Sequence, residues 1–198
     1  MFEKLTGRTP SFIGTVAENQ YAVLLPFVKE ENSFLFEVRS EKLLRQPGEI
    51  CFPGGHIEDD ESPQAAAIRE TCEELLISEK SIEVIAPLDI LFTPWQSTVF
   101  PFLGELSNYG NTYNIEEVKE VFTVPVSFFL DNSPKVYDID VLRTPNDDDE
   151  LYKAIGVEKY AWSKRKEEVL VYNYKGKVIW GMTARFLQNF VSIYKNFQ

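Results

Sequence analysis

The stretch from Phe52 to Leu76 constrains this chain more than any other. It opens Phe-Pro-Gly-Gly, where proline and paired glycines interrupt regular structure. Four acids follow, Glu58, Asp59, Asp60 and Glu61, and then Ser62-Pro63, a capping residue ahead of one suited to a first helical turn. Ala65, Ile68, Cys72, Leu75 and Leu76 recur at helical spacing and predict a single apolar stripe. Glu70, Glu73 and Glu74 lie three and four apart and share another face. At about 100° per residue, Glu70 is roughly 200° from Ile68, and Glu74 roughly 200° from Cys72. The helix is therefore expected to bury one side and present carboxylates on the other.

Like charges at this spacing destabilise a helix by a few tenths of a kcal/mol. A solvated acidic face is one explanation for keeping them. A site for a hard divalent cation is the other, because Mg²⁺ and Mn²⁺ take oxygen ligands and offset carboxylate repulsion. The glycines before the helix would let backbone carbonyls approach such an ion closely.

The rest of the chain reads as strands with a helix at the end. Residues 21–28 and 34–38 are short, apolar and β-prone, separated by Glu30 to Ser33 as in a hairpin. Residues 49–52 make a further short strand, and 82–92 and 98–106 flank Thr93-Pro94-Trp95-Gln96-Ser97. Phe122 to Leu130 is apolar with Pro125 inside it, compatible with either class. Asn146 to Glu150 is expected as a solvated acidic loop. Phe186, Phe190 and Tyr194 predict an amphipathic helix over 182–194, its aromatic stripe read as core packing.

The charge balance limits partners. With 31 acidic against 20 basic side chains the net charge is −11. A basic footprint for nucleic acid is missing. No apolar run approaches the roughly 18 residues that span a membrane, and Met1 to Ser11 carries no apolar leader. Cys51 and Cys72 have neither a disulfide-framework nor a zinc spacing, and are expected as reduced, buried thiols. A cytoplasmic protein is the expectation, and 44% apolar residues suffice for a core in a chain of 198.

Position by position, the central segment resembles the Nudix box, G-x5-E-x7-R-E-U-x-E-E-x-G-U. Gly55, Glu61, Arg69, Glu70, Glu73 and Glu74 match, while Thr71 stands at an aliphatic position and Leu76 at the trailing glycine. Upstream, Arg39-Ser40, Gly48 and Phe52-Pro53-Gly54-Gly55 resemble the coenzyme A pyrophosphatase branch of that family. There Glu37 replaces the usual threonine and Gln46 a common histidine. Downstream, residues 117–126 and 179–185 are similar to the same branch.

The resemblance implies an α/β (α+β) Nudix fold, a mixed sheet between helices, in one domain over 1–198 with its box at 55–77. It implies hydrolysis of a diphosphate in a small nucleoside diphosphate substrate, with Mg²⁺ or Mn²⁺ as cofactor. Coenzyme A or a derivative would give 3′,5′-ADP and 4′-phosphopantetheine. ADP-ribose or a dinucleotide is the alternative substrate, and a non-catalytic binding module the alternative class. Implied catalytic residues are Glu70, Glu73, Glu74 and Glu117, and implied metal ligands are Gly54, Glu70, Glu73 and Glu74. Arg39 and Arg45 would bind substrate, with Lys42 a weaker candidate. Glu61 and Arg69 would support the loop. His56 is expected to be solvated, Trp95, Trp162 and Trp180 to be core or rim aromatics, and a homodimer is compatible with the resemblance.

Overall fold

In the computed structural model, residues 19–93, 97–142, 148–158, 160–162 and 164–196 are described. Met1 to Ser11, Trp95 and Asn146 lie outside the described residues. The elements begin with β1 (Gln20–Val28), β2 (Ser33–Arg39), β3 (Ile50–Cys51) and β4 (Gly54–His56). Helix α1 (Pro63–Leu75) follows, then β5 (Ile82–Pro87), β6 (Leu91–Phe92), β7 (Thr98–Leu106) and β8 (Val118–Pro125). The chain ends with α2 (Val126–Asp131), β9 (Lys135–Val141), α3 (Asp148–Ala154), β10 (Arg165–Tyr174), β11 (Lys177–Trp180) and α4 (Gly181–Asn196).

The main sheet is mixed. β1 pairs parallel with β7 along its whole length, and every other pairing is antiparallel. The hairpin expected around Glu30 to Ser33 forms, with its connection at 29–32 and Val28 opposite Ser33 in β2. Beyond it β1 and β2 diverge, so β1 takes β4 as neighbour and β2 takes β3. That divergence opens the sheet where Pro53-Gly54-Gly55 crosses from one strand to the other.

Strand pleat divides the core into two layers. Ala22, Leu24, Val28 and Leu35 face α1, packing with Ala66, Ala67 and Leu75. Leu25, Phe34 and Phe36 face the opposite way, onto Phe129, Ile179, Phe186 and Phe190. The expected mixed sheet between helices is thus observed, and Phe186 and Phe190 are core residues as the aromatic stripe suggested, whereas Tyr194, expected with them, is exposed.

Three local expectations are corrected and one open assignment is resolved. Residues 82–92 form two strands, broken at Leu88 where the backbone N–H turns to Pro101. Gly54 and Gly55 belong to β4, because they pair with Val23 and Ala22. The 122–130 tract is strand to Pro125 and helix after it, Pro125 having no N–H to continue the ladder. Within the expected acidic loop, Asp148 to Glu150 begin α3. β9 and β10, from within 131–175, join β11 in a second, three-stranded antiparallel sheet in the order β11-β10-β9. No described helix is long and apolar enough to cross a membrane.

Candidate active site

Helix α1 starts as its sequence indicates. The Ser62 hydroxyl accepts from the Ala65 N–H at 3.2 Å, and Pro63 occupies the first turn. Its buried face is different from the expected stripe. Ala66, Ala67, Thr71, Glu74 and Leu75 are buried, while Ala65 is exposed and Ile68 and Cys72 are half-buried. The small side chains let the helix lie close on β1. Thr71 is tolerated there because its hydroxyl donates to the Ala67 carbonyl at 2.7 Å. The carboxylates therefore do not all face water: Glu74 is 3% exposed and lies under the helix.

The helix end also departs from expectation. Leu76 adopts the left-handed conformation itself, φ 53° and ψ 46°, the role its usual glycine would fill. Thr112 donates its hydroxyl to the Leu75 carbonyl at 2.7 Å, and the Asn114 N–H reaches the Glu74 carbonyl at 2.8 Å. Those two bonds satisfy terminal carbonyls and fasten the 109–117 loop to the helix. The same loop carries Glu117, whose carboxylate accepts from the Asn114 amide at 3.1 Å. No periodicity or motif in the sequence marks Thr112 or Asn114.

The box residues converge on Gly54 and Gly55, where the chain turns from Pro53 into β4. The Gly54 N–H donates to Glu74 Oε2 at 2.9 Å. A Cβ added at Gly55 would fall on the Glu70 carboxyl group, so the glycine is what lets Glu70 approach the turn. Arg69 organises the surroundings. It forks onto both oxygens of Glu61 at 2.9 and 3.1 Å, reaches Glu70 at 2.9 Å and Glu73 at 3.4 Å, and donates to the His56 carbonyl at 3.0 Å. Arg69 thus links Glu61 to the backbone at His56. His56 is exposed and packs edge-on against Tyr21.

Electrostatics single out the interior of this cluster. Burial raises the Glu70 carboxyl, against the pull of Arg69 and with the push of Glu73 and Glu117. Burial raises Glu74 much further, aided by Glu37 and opposed by the Gly54 N–H. Glu37, from β2, is 1% exposed, and burial pushes it up to about 7. Its Oε1 accepts from the Cys51 thiol at 3.2 Å, and its Oε2 is buried with no hydrogen-bond partner. Both cysteines are free, as expected, and half-buried where full burial was expected. The sequence marked Glu37 only as a replaced threonine; that it lies beneath the box follows from pairing with Cys51, which places β2 under the turn.

The donor set fits a hard cation. Carboxylates from α1 surround a glycine turn, and a buried carboxylate oxygen close by has no partner from the protein. Among the described residues no three His, Cys, Asp or Glu side chains are yet drawn together as a metal cage. Glu70 and Glu73 are engaged by Arg69, and would exchange that contact for the ion.

The expected substrate cations are separated. Arg39 lines a cavity of about 610 Å³ together with Cys51, Phe92, Lys166, Trp180 and Arg185. The cavity lies between the open end of the main sheet, the second sheet and the start of α4. Arg45 is exposed in the loop before β3, where its carbonyl accepts from Arg39 Nε at 3.3 Å. Lys42 is paired with Glu116 at 2.8 Å. Trp180 lies on the cavity rim, 43% exposed.

The NUDIX domain family model matches residues 18–136, which include every box residue and the strands that position it. The chain belongs to the Nudix family. Among its curated relatives, mouse peroxisomal coenzyme A diphosphatase NUDT7 is 38% identical over 126 residues, covering 62% of this chain and 52% of that protein. Nudix hydrolase 3 of Caenorhabditis elegans is 32% identical over 117 residues, 56% of this chain and 49% of that one. The chain therefore spans about half the length of these two Nudix relatives. An uncharacterized Nudix hydrolase, NudL of Citrobacter koseri, is 30% identical over 177 residues, 88% of this chain and 82% of the relative. A solved MutT/nudix family protein from Enterococcus faecalis superposes with a TM-score of 0.51 at 14% identity, covering 97% of this chain and 67% of that one. This likeness bears on the fold alone.

Proposed function

We propose that this chain is a metal-dependent pyrophosphohydrolase that cuts the diphosphate of coenzyme A or a coenzyme A derivative, releasing 3′,5′-ADP and 4′-phosphopantetheine. The observation that carries the reaction class is the convergence of Glu70 and Glu74 on Gly54 and Gly55. In support of the substrate stand the Arg39-Ser40 and Phe-Pro-Gly-Gly segments and the likeness to a coenzyme A diphosphatase.

Glu70, Glu73 and Glu74, with the Gly54 carbonyl, would hold Mg²⁺ or Mn²⁺. When bound, such an ion supplies positive charge between carboxylates and diphosphate and acidifies a water. The protein's own contribution begins with charge. A chain of net charge −11 repels an anionic substrate, so Arg39 at the cavity mouth acts as the local anchor for a phosphate. Glu70 or Glu117 would take the proton from the attacking water, Glu117 from a loop fixed by Asn114. Arg69 keeps Glu70 oriented through their ion pair and Glu61 fixes Arg69 in turn. The cavity beyond Arg39 receives the part of the substrate remote from the diphosphate.

Product analysis tests this reading. Coenzyme A and ADP-ribose are each incubated with pure protein and Mg²⁺ or Mn²⁺. The expected result is 3′,5′-ADP from coenzyme A with ADP-ribose largely intact. AMP from ADP-ribose alone rejects the substrate and keeps the reaction. Cleavage of neither, with coenzyme A bound, favours a binding module.

A further inference from the structure

We propose that Glu37 is a further ligand of the divalent cation held by Glu70 and Glu74, reaching it from the sheet floor directly or through one water. The inference rests on the metal-dependent reading above and adds a residue that lies outside the box.

The pleat of β2 sets the direction. Leu35 belongs to the layer that packs on α1, and Phe34 and Phe36 to the opposite layer. Glu37 is two residues beyond Leu35 and so points to the α1 side. It is almost wholly buried there. Opposite it on β3 stands Cys51, whose thiol is the one hydrogen-bond donor to its carboxyl group among the described residues. A thiol is a weak donor, and the second oxygen is sealed from water without a partner.

The surrounding charges make that orphan oxygen costly as an anion. Glu117 and Glu70 repel it, and it is in turn the foremost charge acting against Glu74. Arg39 is the cation that opposes them, yet its Nε is spent on the Arg45 carbonyl. A buried carboxylate persists only when paired, protonated or bound to a metal. A proton explains one oxygen's comfort and leaves the mutual repulsion of Glu37 with Glu70, Glu74 and Glu117 unexplained. A hard cation explains both, because it takes several oxygen ligands and reverses the sign of every contact in the cluster. Glu70 reaches the ion from the helix, Glu74 from beneath it, and Glu37 from the floor. The box is thereby completed by a side chain that no box pattern contains.

The test is Mn²⁺ binding, read as free Mn²⁺ by electron paramagnetic resonance, in wild type, Glu37→Gln, Glu37→Thr and Glu74→Gln. Near-ultraviolet circular dichroism and the metal-free melting midpoint establish folding, and Glu37→Gln keeps the shape if Glu37→Thr fails to fold. Loss of a ligand or of its water bridge is expected to weaken Mn²⁺ about tenfold or more in both Glu37 variants. Smaller losses in both, with Glu74→Gln still impaired, overturn the role of Glu37 and leave the box site standing. Unchanged affinity in all three variants overturns the box metal site as well.

Discussion

Leu76 holds a backbone conformation that costs an L side chain roughly 1–2 kcal/mol, and it is 60% exposed, so little burial compensates. Leu76→Gly relieves that strain but adds roughly 0.5–1 kcal/mol of unfolded-state freedom. A net gain of roughly 0.5–1 kcal/mol is expected, a rise of about 1–4 °C in melting midpoint, measured by thermal denaturation with activity unchanged. The two glycines of the turn respond differently. At Gly55 the atoms nearest an added Cβ are those of the Glu70 carboxyl group, the far end of a flexible side chain. Gly55→Ala is therefore expected to fold, displace the carboxylate and cut kcat by about a hundredfold, as steady-state kinetics beside a melting curve would reveal. At Gly54 the φ is +153° and the Cβ meets backbone atoms of Ala22 and Val23. Gly54→Ala is expected to lose soluble folded protein altogether. Normal yield would show that β4 can retreat from β1.

Helix α1 joins the core to the chemistry, because one face carries Ala66, Ala67, Leu75 and Glu74 together. Ala67→Leu inserts volume into a fully buried position and is expected to cost about 1–3 kcal/mol. It should also lower turnover, since lifting the helix separates Glu74 from the Gly54 N–H; a variant that melts early yet turns over normally would disconnect the two. The start of the helix was legible because Ser62 and Pro63 act locally, whereas its end at a left-handed Leu76 was not. The buried face was not, because small alanines and a self-bonded threonine carry little hydrophobic signal, and a buried glutamate contradicts the pattern outright. Glu61, Arg69, Glu70, Glu73 and Glu74 were legible through their fixed spacing. Glu37, Cys51, Thr112 and Asn114 were not, since their partners lie 14 to 37 positions away or on the backbone of another element. The second sheet stayed unread for a related reason: β9 is exposed along nearly its whole length, so burial imposes no alternation on it.

The whole molecule stores repulsion that pH and metal should reveal. Glu37 titrates at about 7 in the folded protein against an ordinary 4.5, so between those values the folded state binds more protons than the unfolded one. Stability from this group is complete below about pH 4.5 and is lost as pH rises through about 7. At 1.36 kcal/mol per unit the loss is on the order of 3 kcal/mol. Glu74 acts with the same sign, because its carboxyl is also raised by burial. The net charge of −11 adds general self-repulsion in the same direction. Protein freed of metal by a chelator is therefore expected to melt several degrees lower at pH 8 than at pH 5.5. Glu37→Gln cannot titrate and should flatten that slope while raising the midpoint at pH 8. Saturating Mn²⁺ should oppose the trend, since the ion binds deprotonated carboxylates and stabilises whatever state holds it. Its stabilising effect should grow from pH 5.5 to pH 8. A metal-free midpoint that climbs over this range would mean that Glu37 and Glu74 are ionised at little cost, and would leave the buried carboxylates without the strain on which their readiness for a cation depends.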